Sequence, residues 1–201
     1  MHVEFLFDYT SSYSYLANAR IRQLGIPIAY TPVDVRAIMS GARNPPASSG
    51  SAKLRYASLD CARLAASYGV PFRWNHHVHA LVEDGTLDAQ LLLRGAAVAQ
   101  ELGAFERYHA AVFSAIWADP RDLTLKKERT ALLEEHGIGV PDLWERAADP
   151  AAVRALARRN EEAIARGVFG VPMFFVDGEP FFGNERIEFV QARIAGQGAA
   201  A

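Results

Sequence analysis

Val3 to Asp8 carries enough alternation of aromatic and aliphatic side chains to predict a strand. Thr10, Ser11 and Ser12 follow at once, residue types that favour a helix N-terminus because a side-chain oxygen can accept from a free N–H of the first turn. Tyr13, Leu16, Ala17, Ile21 and Leu24 then recur close to the 3.6-residue period, until Gly25 and Pro27 stop the pattern. A second strand, Ile28 to Val33, comes straight after. Strand, helix, strand with short joints is a βαβ unit, and its helix begins at the carboxyl end of the first strand.

Near the other end, Pro172 to Val176 and Pro180 to Phe182 are apolar runs separated by Asp177-Gly178, a dipeptide typical of a tight hairpin. Asn184 is then expected to cap a last helix, Ile187 to Ile194. Between the two ends helical patterns dominate: Lys53 to Tyr68, Ala89 to Leu102, Arg107 to Trp117, Lys126 to Glu135 and Ala151 to Arg166. Gly41 to Gly50, rich in Gly, Pro, Ser and Asn, is the one obvious long loop. The order βαβ, helical block, ββα is thioredoxin-like. It predicts an α/β fold, a four-stranded mixed sheet flanked by helices, with a large helical insertion packed over one edge. Residues 1–40 and 165–201 would form the thioredoxin-like domain and 41–164 the helical insertion.

Composition narrows the function classes. The 201 residues are 50% hydrophobic and 22% charged, the balance of a globular chain with a core of its own. A net charge of −2 with no long run of one sign gives no footprint for nucleic acid or an acidic membrane. The single cysteine, Cys61, excludes an internal disulfide, a CxxC redox pair and a cysteine-based zinc site. It sits in a helical pattern and is expected to be a small buried hydrophobe. No apolar run is long enough to span a membrane, and no basic segment followed by an apolar one opens the chain, so a cytoplasmic protein is expected.

Ser11-Ser12-Tyr13-Ser14 stands where a helix begins after the first strand, a place where free N–H groups and the positive dipole end stabilise an anion. Thioredoxin-like redox proteins put C-x-x-C there, and this chain has S-x-x-S. N-capping alone would explain the serines; Val171-Pro172, leading directly into the hairpin where such folds hold a cis proline, favours a functional reading. The stretch Phe7-Asp8-Tyr9-Thr10-Ser11-Ser12-Tyr13-Ser14-Tyr15-Leu16-Ala17 resembles the N-terminal signature of 2-hydroxychromene-2-carboxylate isomerases and kappa-class glutathione transferases, which share a DsbA-like thioredoxin fold. The resemblance continues through Asn44-Pro45-Pro46, Lys53-Leu54-Arg55-Tyr56, Asp60, Gly170-Val171-Pro172 and Phe182-Gly183-Asn184-Glu185-Arg186.

That resemblance implies glutathione as cofactor. Ser11 would be catalytic, its hydroxyl bonded to the glutathione sulfur. Asn44, Lys53 and Asp60 would line the glutathione site, Val171, followed by Pro172, would pair with the tripeptide as an added strand, and Asn184 and Glu185 would receive the γ-glutamyl end. Two positions depart from the family: Ser12 stands where it has proline, and Glu185 where it has aspartate. Without the resemblance, Lys53 and Asp60 read as surface ion-pair residues, with Arg63 or a glutamate as partner.

Other candidates are plainer. His76-His77-x-His79 lacks the spacing of a metal site and is expected to cap the loop after Trp74. Phe72 and Trp74 read as core, and Lys126 to Arg129 as a solvated helix face. The resemblance implies a homodimeric isomerase of aromatic pyruvate-like substrates, of the kind found in aromatic catabolism. A kappa-like transferase and a non-catalytic glutathione-binding module are the alternatives.

Overall fold

Val3, Phe5 and Phe7 lie on one side of the first strand, β1 (Val3–Phe7), and Leu6 on the other, so the two-residue period of the strand feeds two separate apolar clusters. A computed structural model of the chain describes residues 2–45, 51–75 and 77–196, and places β1 inside a four-stranded sheet of order β2-β1-β3-β4. β2 (Ala29–Pro32) runs parallel to β1, with Phe7 opposite Pro32. β3 (Met173–Val176) runs antiparallel to β1, pairing Phe174 with Phe5, and their rings stack at 4.8 Å. β4 (Glu179–Phe182) returns along β3 and places Pro180 opposite Phe175. The turn between them has φ of 48° at Asp177 and 90° at Gly178, as a two-residue hairpin of matching twist requires.

The βαβ crossover is α1 (Ser12–Gln23). The helices that follow are α2 (Val35–Gly41), α3 (Ala52–Tyr68), α4 (Val78–Glu83), α5 (Ala89–Glu101), α6 (Phe105–Trp117), α7 (Lys126–Glu135), α8 (Leu143–Ala148), α9 (Pro150–Ala165) and, after a 3₁₀ turn at Asn184–Arg186, α10 (Ile187–Ile194). Side chains of Ser51, Asp88 and Asp149 accept from first-turn N–H groups of α3, α5 and α9. The three helices that periodicity does not reveal, α2, α4 and α8, run for only seven, six and six residues, too short for an apolar stripe to repeat.

Several expectations are corrected. The loop predicted from Gly41 begins inside a helix end, and its residues 46–50, Pro46 among them, lie outside the described residues. So do His76 and the side chain of His79. Asn75 caps the start of α4, its Oδ1 accepting from the N–H groups of His77 and Val78, each at 3.1 Å, while His77 makes no side-chain capping bond. Asn184 makes no capping bond to the turn it begins. Arg129 is half-buried over the Trp144 ring and donates to the carbonyls of Leu123 and Thr124, so α7 is not simply a solvated face.

The inserted helices do more than cover an edge. α5 meets the β2 edge, where Gln100 donates to the Tyr30 carbonyl at 2.7 Å, while α6 lies on the sheet face with Phe113 and His109 against Phe7. Sheet and insertion therefore share one apolar cluster. The opposite face packs Leu6, Met173 and Phe175 against Ile38 of α2 and Ala163 of α9. α5 and α6 approach closely at Gly95, where a Cβ would stand 2.3 Å from the Tyr108 hydroxyl.

His109 is buried in an aromatic box, with Phe7, Tyr30, Phe105 and Phe113 at 4.7–4.8 Å between ring centroids and Nδ1 3.2 Å from the Tyr9 hydroxyl. Burial pushes its pKa well below the usual imidazole range. The folded state thus refuses a proton that the unfolded chain accepts near pH 6.5, so this group costs stability as pH falls below that point, by up to about 1.4 kcal/mol per pH unit. In thermal unfolding scans from pH 7.5 to 5, wild type should lose stability relative to His109→Phe, with the difference opening below about pH 6.5. Parallel curves for the two proteins would show that His109 does not titrate on unfolding.

Candidate active site

Where β1 ends, the chain turns tightly: the Ser11 N–H donates to the Asp8 carbonyl at 3.1 Å, and Ser11 becomes the N-cap of α1, its Oγ accepting from the Ser14 N–H at 3.1 Å. That bond uses one lone pair and leaves the hydroxyl proton for another acceptor. The helix presents its positive end at the same place.

A cavity of about 190 Å³ opens there. Thr10 to Tyr13 form one wall, and Val35, Arg36 and Met39 of α2 another. Lys53, Leu54 and Ala57 of α3, with Val171, complete its sides, and Trp74, Val82 and Glu83 close it. The Val171-Pro172 peptide is cis. Among the described residues, neither the N–H nor the carbonyl of Val171 enters a hydrogen bond, so a residue that lines the cavity has both backbone groups unpaired. Arg36 and Lys53 bring two cations to the lining, against the one carboxylate of Glu83.

A second, more polar cavity of about 370 Å³ is bordered by Arg20, Tyr68, Asn184 and Glu185. Tyr13 connects the two regions. Its carbonyl accepts from the Asn184 amide at 3.0 Å, and its hydroxyl donates to Asp60 Oδ2 at 3.0 Å. Burial first, then the neighbouring Cys61 and Asp60, pushes the Tyr13 phenol far up, so it stays a donor. Asn184 is only 4% exposed, and its Oδ1 has no partner among the described residues.

The residues singled out in the sequence therefore divide. Ser11, Lys53 and Val171 meet at the first cavity and Asn184 and Glu185 at the second, while Pro172 is buried and borders neither. Asn44 and Asp60 border neither. Asn44 donates to the Phe169 carbonyl at 3.1 Å, tying the end of α2 to the segment before Val171, and Asp60 orients Tyr13 instead of pairing with an arginine. Ser12 accepts from the Cys61 thiol at 3.3 Å. Burial pushes that thiol up to about 11, which makes Cys61 an unreactive core group. Trp74, read as core, also lines the cavity. Arg36, Met39 and Glu83 are additions, and the Asp34 cap before Val35, whose carboxylate accepts from the Arg36 and Ala37 N–H groups, was the available signal for the first two.

Among the described residues no helix is long and apolar enough to cross a membrane. Residues 2–195 match the DSBA-like thioredoxin domain. A 2-hydroxychromene-2-carboxylate isomerase of Sphingobium xenophagum is 31% identical over 96% of this chain and 97% of its own length. A solved 2-hydroxychromene-2-carboxylate isomerase superposes with a TM-score of 0.82 at 26% identity, covering 98% of this chain and 96% of the other. A cytosolic disulfide reductase from Pseudomonas aeruginosa, solved with GSH, shares the fold at a TM-score of 0.63 and 16% identity, covering 97% and 100%. With a four-stranded mixed sheet, a cis Val171-Pro172 peptide and a match over nearly its whole length, the chain belongs to the DsbA-like thioredoxin family, and within it is similar to 2-hydroxychromene-2-carboxylate isomerases.

Proposed function

We propose that the chain is a glutathione-dependent isomerase of the 2-hydroxychromene-2-carboxylate type, acting on aromatic pyruvate-like substrates. One juxtaposition carries the reading: the Ser11 hydroxyl, its proton uncommitted, stands at a helix N-terminus in the same cavity as the unpaired backbone of Val171. The full-length likeness to isomerases supports the reaction class.

The residues present fit the tripeptide. Val171 can pair with an extended peptide as an added strand would. Asn184, held through its amide on the Tyr13 carbonyl, keeps a buried oxygen in want of a donor, and with the Glu185 carboxylate it offers acceptors for an ammonium group. Bound glutathione would supply a thiolate that adds reversibly to the conjugated carbon of the substrate, turning a double bond into a rotatable single bond, and would be returned unchanged. Ser11 and the α1 terminus stabilise negative charge at the sulfur. A hydrogen bond to a charged group contributes about 1.5–3 kcal/mol and the helix end up to about 1 kcal/mol more, against about 1.4 kcal/mol per unit of thiol pKa. Arg36 and Lys53 hold a substrate carboxylate and face the charge that grows on its carbonyl oxygen, while Trp74 offers an aromatic wall.

Mixing protein, glutathione and 2-hydroxychromene-2-carboxylate should change the absorbance spectrum toward the isomer with no loss of free thiol. Thiol consumption with a conjugating acceptor would replace the isomerase by a transferase, and binding without turnover would leave a binding module.

Ser11→Ala should raise the pKa of the bound thiol by roughly one to two units and lower turnover at neutral pH by about tenfold to a few hundredfold. Ser14→Ala should do much less, because the Ser14 hydroxyl is buried inside the helix turn. Titration of thiolate absorbance in both variants checks this, and equal pKa values in wild type and Ser11→Ala would reduce Ser11 to a cap. The chain is further expected to be a homodimer, with Tyr56 and Leu59 of α3, 60% and 58% exposed, as candidate contacts. A monomer in sedimentation at micromolar concentration would remove that expectation.

A further inference from the structure

Asp8 follows β1 directly and is only 2% exposed. Its Oδ1 accepts from both the N–H and the hydroxyl of Thr10, each at 2.8 Å, and its Oδ2 accepts from the N–H of Val35 at 2.9 Å. Its carbonyl also accepts from the Ser11 N–H. Thr10 and Ser11 belong to one wall of the first cavity, while Val35 opens α2, whose Arg36 and Met39 line the opposite wall. Val35 lies 27 residues along the chain from Asp8, and this one carboxylate touches both walls.

We propose that Asp8 is a positioning residue whose two carboxylate oxygens, one bonded to each wall, fix the separation between the serine turn and the cation-bearing start of α2. Ser11 and Arg36 then act across a set distance. The proposal rests on reading this cavity as the reaction centre.

A buried carboxylate is costly, and an apolar side chain would close the end of β1 as well if filling space were all that was needed. Here all three side-chain contacts are donors, and a carboxylate accepts them all. A protonated carboxyl turns one oxygen into a donor that faces either the Val35 N–H or the Thr10 pair, so one wall is released. Burial pushes the Asp8 carboxyl up to about 6, against the pull of the Val35 and Thr10 bonds. Asp34, at the cap of α2, is the titratable group whose charge acts in the same direction as burial. Its own carboxylate is held by the Arg36 and Ala37 N–H groups and by Gln90 of α5, and its N–H donates to Asn160 of α9. The latch is thus closed above about pH 6 and loosens below it.

The first measurement needs no ligand. In amide spectra of the free, full chain, the Thr10 and Val35 resonances should titrate together with a midpoint near 6, and in Asp8→Asn that titration should vanish. Val35→Pro provides a milder variant. Proline is tolerated at the first position of a helix, and Asp34, at φ −81° and ψ 106°, already has the extended conformation favoured before proline. It deletes the donor to Oδ2 and exchanges the Val35 side chain at the cavity wall; loss of the donor should raise the Thr10 midpoint by about one to two units, which a change of side chain alone would not do. Both variants should raise KM for 2-hydroxychromene-2-carboxylate and lower kcat/KM by about tenfold or more. Ser11→Ala should lower kcat and leave the Thr10 and Val35 titration in place. A Val35→Pro protein with the wild-type Thr10 midpoint and wild-type KM would overturn the proposal, as would an Asp8→Asn protein that loses thermal stability yet keeps the titration. If even wild type turns over no substrate, the isomerase reading has failed, and the ligand-free spectra still decide whether Asp8 joins the walls.

Discussion

Burial of β1 on both faces is the constraint from which the site follows. A central strand with Phe7 against α6 and Leu6 in one cluster with α2 and α9 ends inside the protein, so the polar backbone after Phe7 must be satisfied there. The chain does this over four residues. Asp8 accepts from Thr10, Ser11 and Val35, Ser11 accepts from Ser14, and Trp117 of α6 donates to the Tyr9 carbonyl at 2.8 Å. The helix that begins there directs its free end into a recess instead of into open solvent. An anion-stabilising terminus screened from water is worth more than an exposed one, because the surrounding dielectric is lower.

Three long-range ties then close the recess around that terminus. Asn44, just past the end of α2, donates to the Phe169 carbonyl shortly before the cis peptide and so ties the α2 side of the recess to the Val171 side. Asp60 of α3 holds the Tyr13 hydroxyl, and Asn184 holds the Tyr13 carbonyl from the far side. Tyr13 is gripped at both ends and keeps the two cavities in fixed relation. Asn44 and Asp60 thereby help shape cavities that neither of them borders.

How much of this was legible in the sequence depends on distance along the chain. Ser11 was readable because N-capping is a local signal: hydroxyl residues, then an apolar period, directly after a strand. The hairpin was readable for the same reason, since Asp177-Gly178 states its own turn. Arg36 was not, because α2 is seven residues long and its apolar positions Val35, Ile38 and Met39 span less than two turns. The partners of Asn44 and Asp60 lie 125 and 47 residues away, and no spacing rule connects them. Arg129 misled in a different way, since charged side chains can lie along apolar surface and still satisfy their head groups on carbonyls.

Both outer strands of the sheet carry a proline. Pro32 ends β2 and Pro180 lies within β4, and the Tyr30 carbonyl on the β2 side is already taken by Gln100. A proline has no N–H to give a neighbouring strand, and a carbonyl already bonded to a side chain is less open to one. Each edge of the four-stranded sheet is thereby a poorer template for a further strand, which disfavours edge-to-edge extension.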